Sequence, residues 1–418
     1  MAGPILHRAP WVVPVVRPPL ADGAVLAAGG RIQAVGPWAE LAAGFFGPVR
    51  DYPDQVLMPG LVNAHGHLEL AGCTALGQGA PQPAATFVHW LRGLLAARAK
   101  VGVEGTDWVG LAQEAGRGMV ARGIGLALDT GNALASAGLW QGQGGAGPFL
   151  LEVYGLGRQS KTAALQALAA TIPASQPVTA HAPYSTAAEL LVLVKERSRR
   201  LGHPFSIHLA ESPEEVELLA TGRGPMQDFL AERGFWDGSF VAPGCGGAEY
   251  LDRLDLLDRG TICVHGVQLT GREIDLLAQR RAGICLCPGS NRRLGVGKPR
   301  LAAMLAAGLA PALGTDSLAS NDRLCLWREM ALLRQDHPGV TPAQVLAMAT
   351  ENGARLLGQA GSWGSLAPGR RDRFLAVSCQ AATAAELENR LTTALEGLPC
   401  QWVLPSPAEE DRPCGSAW

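Results

Sequence analysis

The chain is 418 residues long, 47% hydrophobic and 17% charged, and its 35 Lys and Arg against 37 Asp and Glu leave a formal net charge of -2. So even a balance offers no basic stripe to track a phosphate backbone, which argues against nucleic acid as a partner. No run of about 18 apolar residues occurs, Pro4, Pro10, Pro14, Pro18 and Pro19 break the N-terminal segment, and nine cysteines are scattered without a C-x-x-C pair; the expectation is a soluble, cytoplasmic protein with reduced thiols and no membrane association.

In chain order, residues 22–36 (DGAVLAAGGRIQAVG) set two short apolar runs around Gly29-Gly30 and predict a hairpin. Pro59-Gly60 inside VLMPGLV ends one strand and opens a buried one, which puts a domain boundary near 58. Eight apolar runs follow, at 61–69, 123–131, 148–156, 177–185, 205–212, 261–269, 283–291 and 311–319. Helix-period segments such as 186–201 and 213–222 lie between several of them, the latter opening on Ser212-Pro213 as N-cap and N1 proline. Continuous apolar strands alternating with helices predict a parallel sheet covered on both faces, and eight such units predict an α/β fold closed as a (β/α)8 TIM barrel. GSLAPGRRDRFLAVS at 364–378 is again turn then strand and is expected to return to the N-terminal β unit. Residues 75–86 and 136–148 read as loops rich in Gly, Ala, Pro and Gln, and 404–418 as a loose tail.

The informative polar residues fall at the C-terminal ends of these strands, the face where barrel enzymes carry their active sites. His65 and His67 are two apart at a strand end, so their side chains share one side. His208 closes another strand, His265 a third and Asp316 the last. Each histidine taken singly could be a hydrogen-bonded core residue. The set of four with one carboxylate suits zinc or a similar borderline divalent metal. His7, His89, His203 and His337 lie outside the pattern.

The ordered motifs PGLVNAHGHLEL, HAPYST, IHLAES, VHGV, CPGSN and LGTDSLASN resemble the amidohydrolase superfamily, in its branch of cytosine, guanine, S-adenosylhomocysteine and chlorotriazine aminohydrolases. The resemblance spans roughly 20 to 378. It implies a barrel carrying one divalent metal, zinc with iron as the alternative, at His65, His67, His208 and Asp316, and a small β-sandwich built from both chain ends. The domain reading is therefore 1–58 and 363–404 for the sandwich, 59–362 for the metal-dependent hydrolase barrel and 405–418 for the tail.

A metal so held lowers the pKa of a bound water from 15.7 to about 7, and the resulting hydroxide is the expected nucleophile. Asp316 is expected to take a proton from that water. By the same resemblance His265 orients the water or polarises the attacked centre, with a fifth ligand as its other reading. Glu211 resembles the family's proton shuttle, against the alternative of a carboxylate at a helix N-terminus. His181, with Tyr184 or Ser185 nearby, is expected to donate a hydrogen bond to substrate; Asn291 closes the seventh strand similarly or caps the following loop. Trp90 in FVHWLRGLL is either a core aromatic or a ring packed on the substrate. At the fourth-strand position of the binuclear members' bridging lysine, LLEVYGL offers Glu152 and no lysine, which argues against a cyclic-amide hydrolase and leaves Glu152 free to bridge a second metal.

CPGSNRRLGVGKP and LGTDSLASNDRLCLW are similar to bacterial amidohydrolases that deaminate 6-amino-6-deoxyfutalosine in menaquinone biosynthesis. That resemblance implies a hydrolytic deaminase attacking purine C6 of a small-molecule nucleoside with release of ammonia. Arg292 and Arg293 could fork a carboxylate of that substrate or form a solvated surface pair. Alternatives are deamination of S-adenosylhomocysteine, methylthioadenosine or guanine, a chlorotriazine or amide hydrolase, and, most remote, a non-catalytic barrel. A homodimer is compatible with all of them.

Overall fold

A computed structural model describes residues 3–78, 86–101 and 108–404; the expected tail at 405–418 and part of the 75–86 loop lie outside the described residues. The strands are β1 (Ile5–Val12), β2 (Leu20–Ala28), β3 (Arg31–Pro37), β4 (Val49–Asp51), β5 (Gln55–Pro59), β6 (Leu61–Gly66), β7 (Ile124–Gly131) and β8 (Phe149–Val153). They continue with β9 (Val178–Ala180), β10 (Phe205–Leu209), β11 (Thr261–His265), β12 (Gly283–Leu286), β13 (Ala312–Leu313), β14 (Phe374–Ser378) and β15 (Cys400–Val403). Two compact units emerge, one of Met1–Asn63, Arg117–Leu126 and Cys325–Trp418, the other of Ala64–Gly116 and Ala127–Leu324.

In the first unit one seven-stranded sheet runs β15-β14-β5-β1-β2-β3, with β4 beside β1. The hairpin predicted at 22–36 is β2 and β3, paired antiparallel and turned at Gly29 and Gly30, whose φ values of 61° and 72° are ones that only glycine adopts freely. The 364–378 run does return to the N-terminal strands: β14 pairs antiparallel with β5, Phe374 opposite Pro59 and Val377 opposite Val56. The expected sandwich is not shown. β5 pairs with β1 on one side and β14 on the other, so both chain ends join a single hydrogen-bonded ladder. Val12, Val25, Ile32, Leu57 and Phe374 form its buried apolar cluster.

The rest of the fold is mixed α/β. The strands β6 to β13, of which the second unit holds β8 to β13 whole and the C-terminal parts of β6 and β7, fall in two four-stranded sheets, β6-β7-β8-β9 and β10-β11-β12-β13, and the β7-β8, β8-β9 and β10 to β13 pairings are parallel. Each of the eight apolar runs in the sequence contains one of these strands, and every residue of β7, β8, β10 and β11 is buried, as parallel strands covered on both faces must be. The two sheets meet at both ends: Gly66 bridges Asp316 in parallel sense, with the Thr315 and Asp316 N–H groups donating to the His65 carbonyl, and the His208 N–H donates to the His181 carbonyl at 3.0 Å, with the Ser206 N–H donating to Thr179 Oγ1 at 2.9 Å. Gly314 allows the first of these, because a Cβ there would stand 2.9 Å from the His65 Cβ and 2.8 Å from Cys285 Sγ. The predicted helices stand at Ala188–Leu201 and Pro213–Thr221, the latter capped by Ser212, which accepts from the Glu215 N–H. The 136–148 loop holds a short 3-10 turn at Gln141–Gln143 and is preceded by another at Leu134–Ser136. Among the described residues no helix is long and apolar enough to cross a membrane, and the eight described cysteines are free.

Candidate active site

His65, His67 and His208 bring a ring nitrogen each within 4.8 Å of one another, and in an adjoining group a carboxylate oxygen each of Glu211 and Asp316 and a ring nitrogen of His265 do the same. Asp316 joins the two, its Oδ1 lying 3.7 Å from His65 Nε2 and 3.6 Å from His67 Nε2. All six are buried. The backbone turns sharply where the strands deliver them: of the seven described non-glycine residues in the left-handed region, three are His265 (φ 71°), Asp316 (φ 56°) and Ala210 (φ 51°), just before Glu211. Such conformations cost about 1–3 kcal/mol and persist where surrounding structure dictates them.

Hydrogen bonds fix which ring nitrogen is free. The Thr130 hydroxyl donates to the Gly66 carbonyl (3.1 Å), so its oxygen accepts from His67 Nδ1–H (3.0 Å) and leaves Nε2 as a lone pair. His208 donates Nδ1–H to the His181 carbonyl (2.8 Å), which can only accept, so its Nε2 is bare as well. His265 donates Nδ1–H to Asn291 Oδ1 (3.0 Å) and turns Nε2 toward Glu211 Oε1 at 3.5 Å. His65 keeps a buried Nδ1 without a partner, while its Nε2 sits 3.1 Å from that of His67. Asp316 is held from behind, Oδ2 accepting from the hydroxyls of Ser290 (2.7 Å) and Ser320 (2.6 Å), which aims Oδ1 at the histidines. The bare Nε2 atoms of His67 and His208, the Nε2 of His65 beside them and one carboxylate oxygen make a donor set that fits a divalent cation of zinc type, and the hydroxyl and carbonyl partners behind His67 and His208 are what orients metal ligands elsewhere.

The electrostatics agree with that donor set. Burial pushes His67 down to about 3 and His265 and His181 down to about 4, and it holds His208 well below the usual imidazole range, with the other histidines adding to the effect. All four rings are therefore neutral near pH 7. Burial alone would raise Asp316, but His65, His265 and His67 outweigh it and hold its carboxyl well below the carboxylate range. Glu211 goes the other way: burial first, then the charges of Asp316 and Glu215, raise it well above its ordinary value. Burial likewise takes Glu152 up to about 8.

The remaining residues singled out by sequence divide. His181, paired with Ser185 Oγ at 2.7 Å, lines the cavity that opens over the histidines. Trp90 lines it too, half-buried, with Nε1–H donating to the Ala319 carbonyl. Glu152 lies beside His208, Oε1 3.7 Å from Nδ1. Asn291 instead holds His265 and does not line the cavity. Arg292 does not line it either, since on the helix Pro288–Leu294 each residue is rotated about 100° from the last and position 291 faces His265. Arg293 is spent on the carbonyls of Leu76 and Gln78.

Sequence reasoning passed over Thr130, Ser290 and Ser320, hydroxyl residues within four positions of a strand end or of Asp316. It also passed over Glu215, whose two oxygens accept the N–H groups of Ala210 (2.8 Å) and Glu211 (2.9 Å) and so fix the turn that presents Glu211. Glu69, two residues beyond His67, anchors the next loop by accepting from the backbone of Asn132 and Ala133 and from Arg98; its spacing from His67 was the available signal.

Residues 56–398 match the model of the amidohydrolase family. The chain belongs to the amidohydrolase family, hydrolases of carbon–nitrogen bonds other than peptide bonds. This amidohydrolase is 30% identical over 412 residues, 90% of its own length and 86% of the relative's, to a 5-methylthioadenosine/S-adenosylhomocysteine deaminase of Moorella thermoacetica. Over 188 residues, 43% of the amidohydrolase and 44% of the relative, it is 34% identical to an aminodeoxyfutalosine deaminase of Deinococcus radiodurans. Among solved structures it resembles an adenosine deaminase of Xanthomonas campestris with bound zinc, at a TM-score of 0.73 and 27% identity over 94% of this chain and 89% of that one.

Proposed function

We propose that this amidohydrolase is a hydrolytic deaminase of 6-aminopurine nucleosides. The observation that carries the reading is Glu211, a buried carboxyl 3.5 Å from His265 Nε2 and grouped with Asp316, facing the same cavity as the three-histidine cluster. Deaminase names among the relatives over most of the chain support it. The parallel strand units, with the Gly66 to Asp316 bridge at one seam and the His208 to His181 bond at the other, support a closed (β/α)8 barrel within 59–362 as the catalytic domain.

His65, His67, His208 and Asp316 would hold one divalent cation, zinc in the first place and iron in the second. Such a cation, when bound, supplies a water acidic enough to ionise near neutral pH. The rest belongs to the chain. Deamination forms a C6–O bond and breaks C6–N, consuming water and releasing ammonia. Glu211 gives its proton to the ring nitrogen beside C6, so that the carbon accepts oxygen without placing negative charge on the ring, and takes one back from the C6 hydroxyl as the C6=O bond forms and ammonia leaves. Asp316 Oδ1, held in place by Ser290 and Ser320, removes the water proton and returns it to the departing amino nitrogen. His265, its tautomer set by Asn291, accepts through Nε2 and orients the incoming water. His181 and Trp90 face the base and ribose from the cavity wall.

Within this class 6-amino-6-deoxyfutalosine is the first substrate to test, followed by S-adenosylhomocysteine and methylthioadenosine. Ammonia release should be screened across these nucleosides, adenosine, guanine and a chlorotriazine, with metal content measured in parallel. Faster turnover of the triazine or of guanine than of any adenine nucleoside would replace the proposal.

A further inference from the structure

Two arginines line the cavity, Arg98 and Arg233. Arg98 is committed, donating to Asn132 Oδ1 at 2.9 Å and lying 3.4 Å from Glu69 Oε1. Arg233 is exposed, and no hydrogen bond or ion pair holds its guanidinium among the described residues. The acid next to it in sequence, Glu232, is already taken by the fork of Arg92, with bonds of 3.0 and 2.8 Å. Arg233 caps the C-terminus of the helix Pro225–Glu232, where the last carbonyls favour a cation, so its charge is retained without an acidic partner.

The wall that shares the cavity with Arg233 is apolar. Leu91 and Leu95 come from the helix Phe87–Val101, Phe229 and Leu230 from the helix that Arg233 caps, and Phe235 follows it. His67, His208 and Asp316 are buried whereas Arg233 is exposed, so the arginine marks the solvent side of the cavity and the reacting groups its floor. A ligand whose amino group sits at that floor and whose other end reaches Arg233 shares the cavity with these leucines and phenylalanines.

We propose that Arg233 is a specificity-determining residue that pairs with a carboxylate at the far end of a substituent on the substrate's ribose. This rests on the deaminase reading and narrows it to nucleosides whose 5′ extension ends in a carboxylate. A guanidinium presents a planar fork that fits a carboxylate with two bonds, which an ammonium does not.

The test is steady-state deamination by the metal-loaded full-length enzyme of S-adenosylhomocysteine and 6-amino-6-deoxyfutalosine, which carry a carboxylate, against methylthioadenosine, which does not. Arg233→Met should raise KM for the carboxylate substrates about tenfold at nearly constant kcat and leave methylthioadenosine within about twofold, with Arg233→Lys in between. Turnover of methylthioadenosine, which has no carboxylate to lose, is the control for general damage. Equal losses on charged and uncharged nucleosides, or no loss on the carboxylate pair, would overturn the assignment of Arg233 while leaving the deaminase standing. Absence of ammonia from every nucleoside in the unmutated enzyme would remove the deaminase reading, and this proposal with it.

Discussion

Buried histidines occur in both units, and they are buried for different ends. His7, in β1 of the terminal sheet, lies 3.1 Å from the Tyr52 hydroxyl through Nδ1, stacks on that ring and meets the edge of Phe374. Burial, helped by Arg50, pushes it down to about 4, much as burial pushes down His181 and His265. By burial and titration alone these histidines are indistinguishable. What separates them is the company each keeps. His7 has aromatic neighbours and one hydroxyl; His65, His67, His208 and His265 pack their rings against one another with centroids 4.7 to 6.0 Å apart. Neutral rings crowded with lone pairs inward are poor packing partners in a core and good ligands for a cation, so the crowding, and not the depressed titration, is the functional signal.

The largest effect expected from that contrast is on metal. His67→Ala should lose the bound ion and lower turnover by about 10³-fold or more, since the acidified water goes with it; His7→Phe should leave metal content and turnover unchanged. Metal analysis of both variants decides it, and a fully active, metal-free enzyme would end the mechanism. Next in size, Glu211→Gln should retain fold and metal while cutting kcat by roughly 10²-fold, the usual contribution of a positioned acid. Glu215→Gln, which keeps one of the two acceptors that set the Glu211 turn, should cost less than Glu211→Gln.

A smaller effect is expected one layer out. Thr130→Val removes the acceptor that fixes the His67 tautomer and should weaken metal binding by about 10–100-fold, read by competition with a chelator. The smallest expected effect belongs to His7. Its folded value lies near 4 and its unfolded value near 6.5, so between these pH values the unfolded chain binds a proton that the native chain does not. Stability from this group is therefore complete above pH 6.5 and is lost as pH falls toward 4, with a slope of at most about 1.4 kcal/mol per pH unit. His7→Phe should flatten that part of the stability profile relative to the parent protein, as measured by urea unfolding at pH 4.5 and 6.5; an unchanged difference between the two pH values would show that His7 does not titrate as its burial implies.

How much of this was legible in the chain differs from one residue to the next. The pair His65 and His67, the strand-end positions of His208 and His265, and Asp316 followed from alternation and apolar runs, because a strand's period of two fixes which side a residue faces from local sequence alone. The (β/α) units were readable for the same reason. Which nitrogen each ring offers was not readable, because it depends on Thr130 meeting His67 across β6 and β7, and on the His181 carbonyl meeting His208 across two sheets, contacts between residues 27 to 63 positions apart. Ser290 reaches Asp316 in the same way, from 26 positions before it, whereas Ser320 lies only four residues beyond it.

The arginines mark the limit most sharply. Sequence adjacency to Asn291 suggested Arg292, but one residue along a helix is a rotation of about 100°, so the neighbour of a site residue points elsewhere. Arg233 carries no motif and enters the cavity only because the helix Pro225–Glu232 ends there. In the terminal sheet too, the sequence told that both chain ends are strands that come together, whereas the partner on each edge of β5 decided that they make one sheet. Local sequence determines periodicity, and periodicity determines faces. The partner opposite each face is chosen by the packing of distant segments, which only the folded chain specifies.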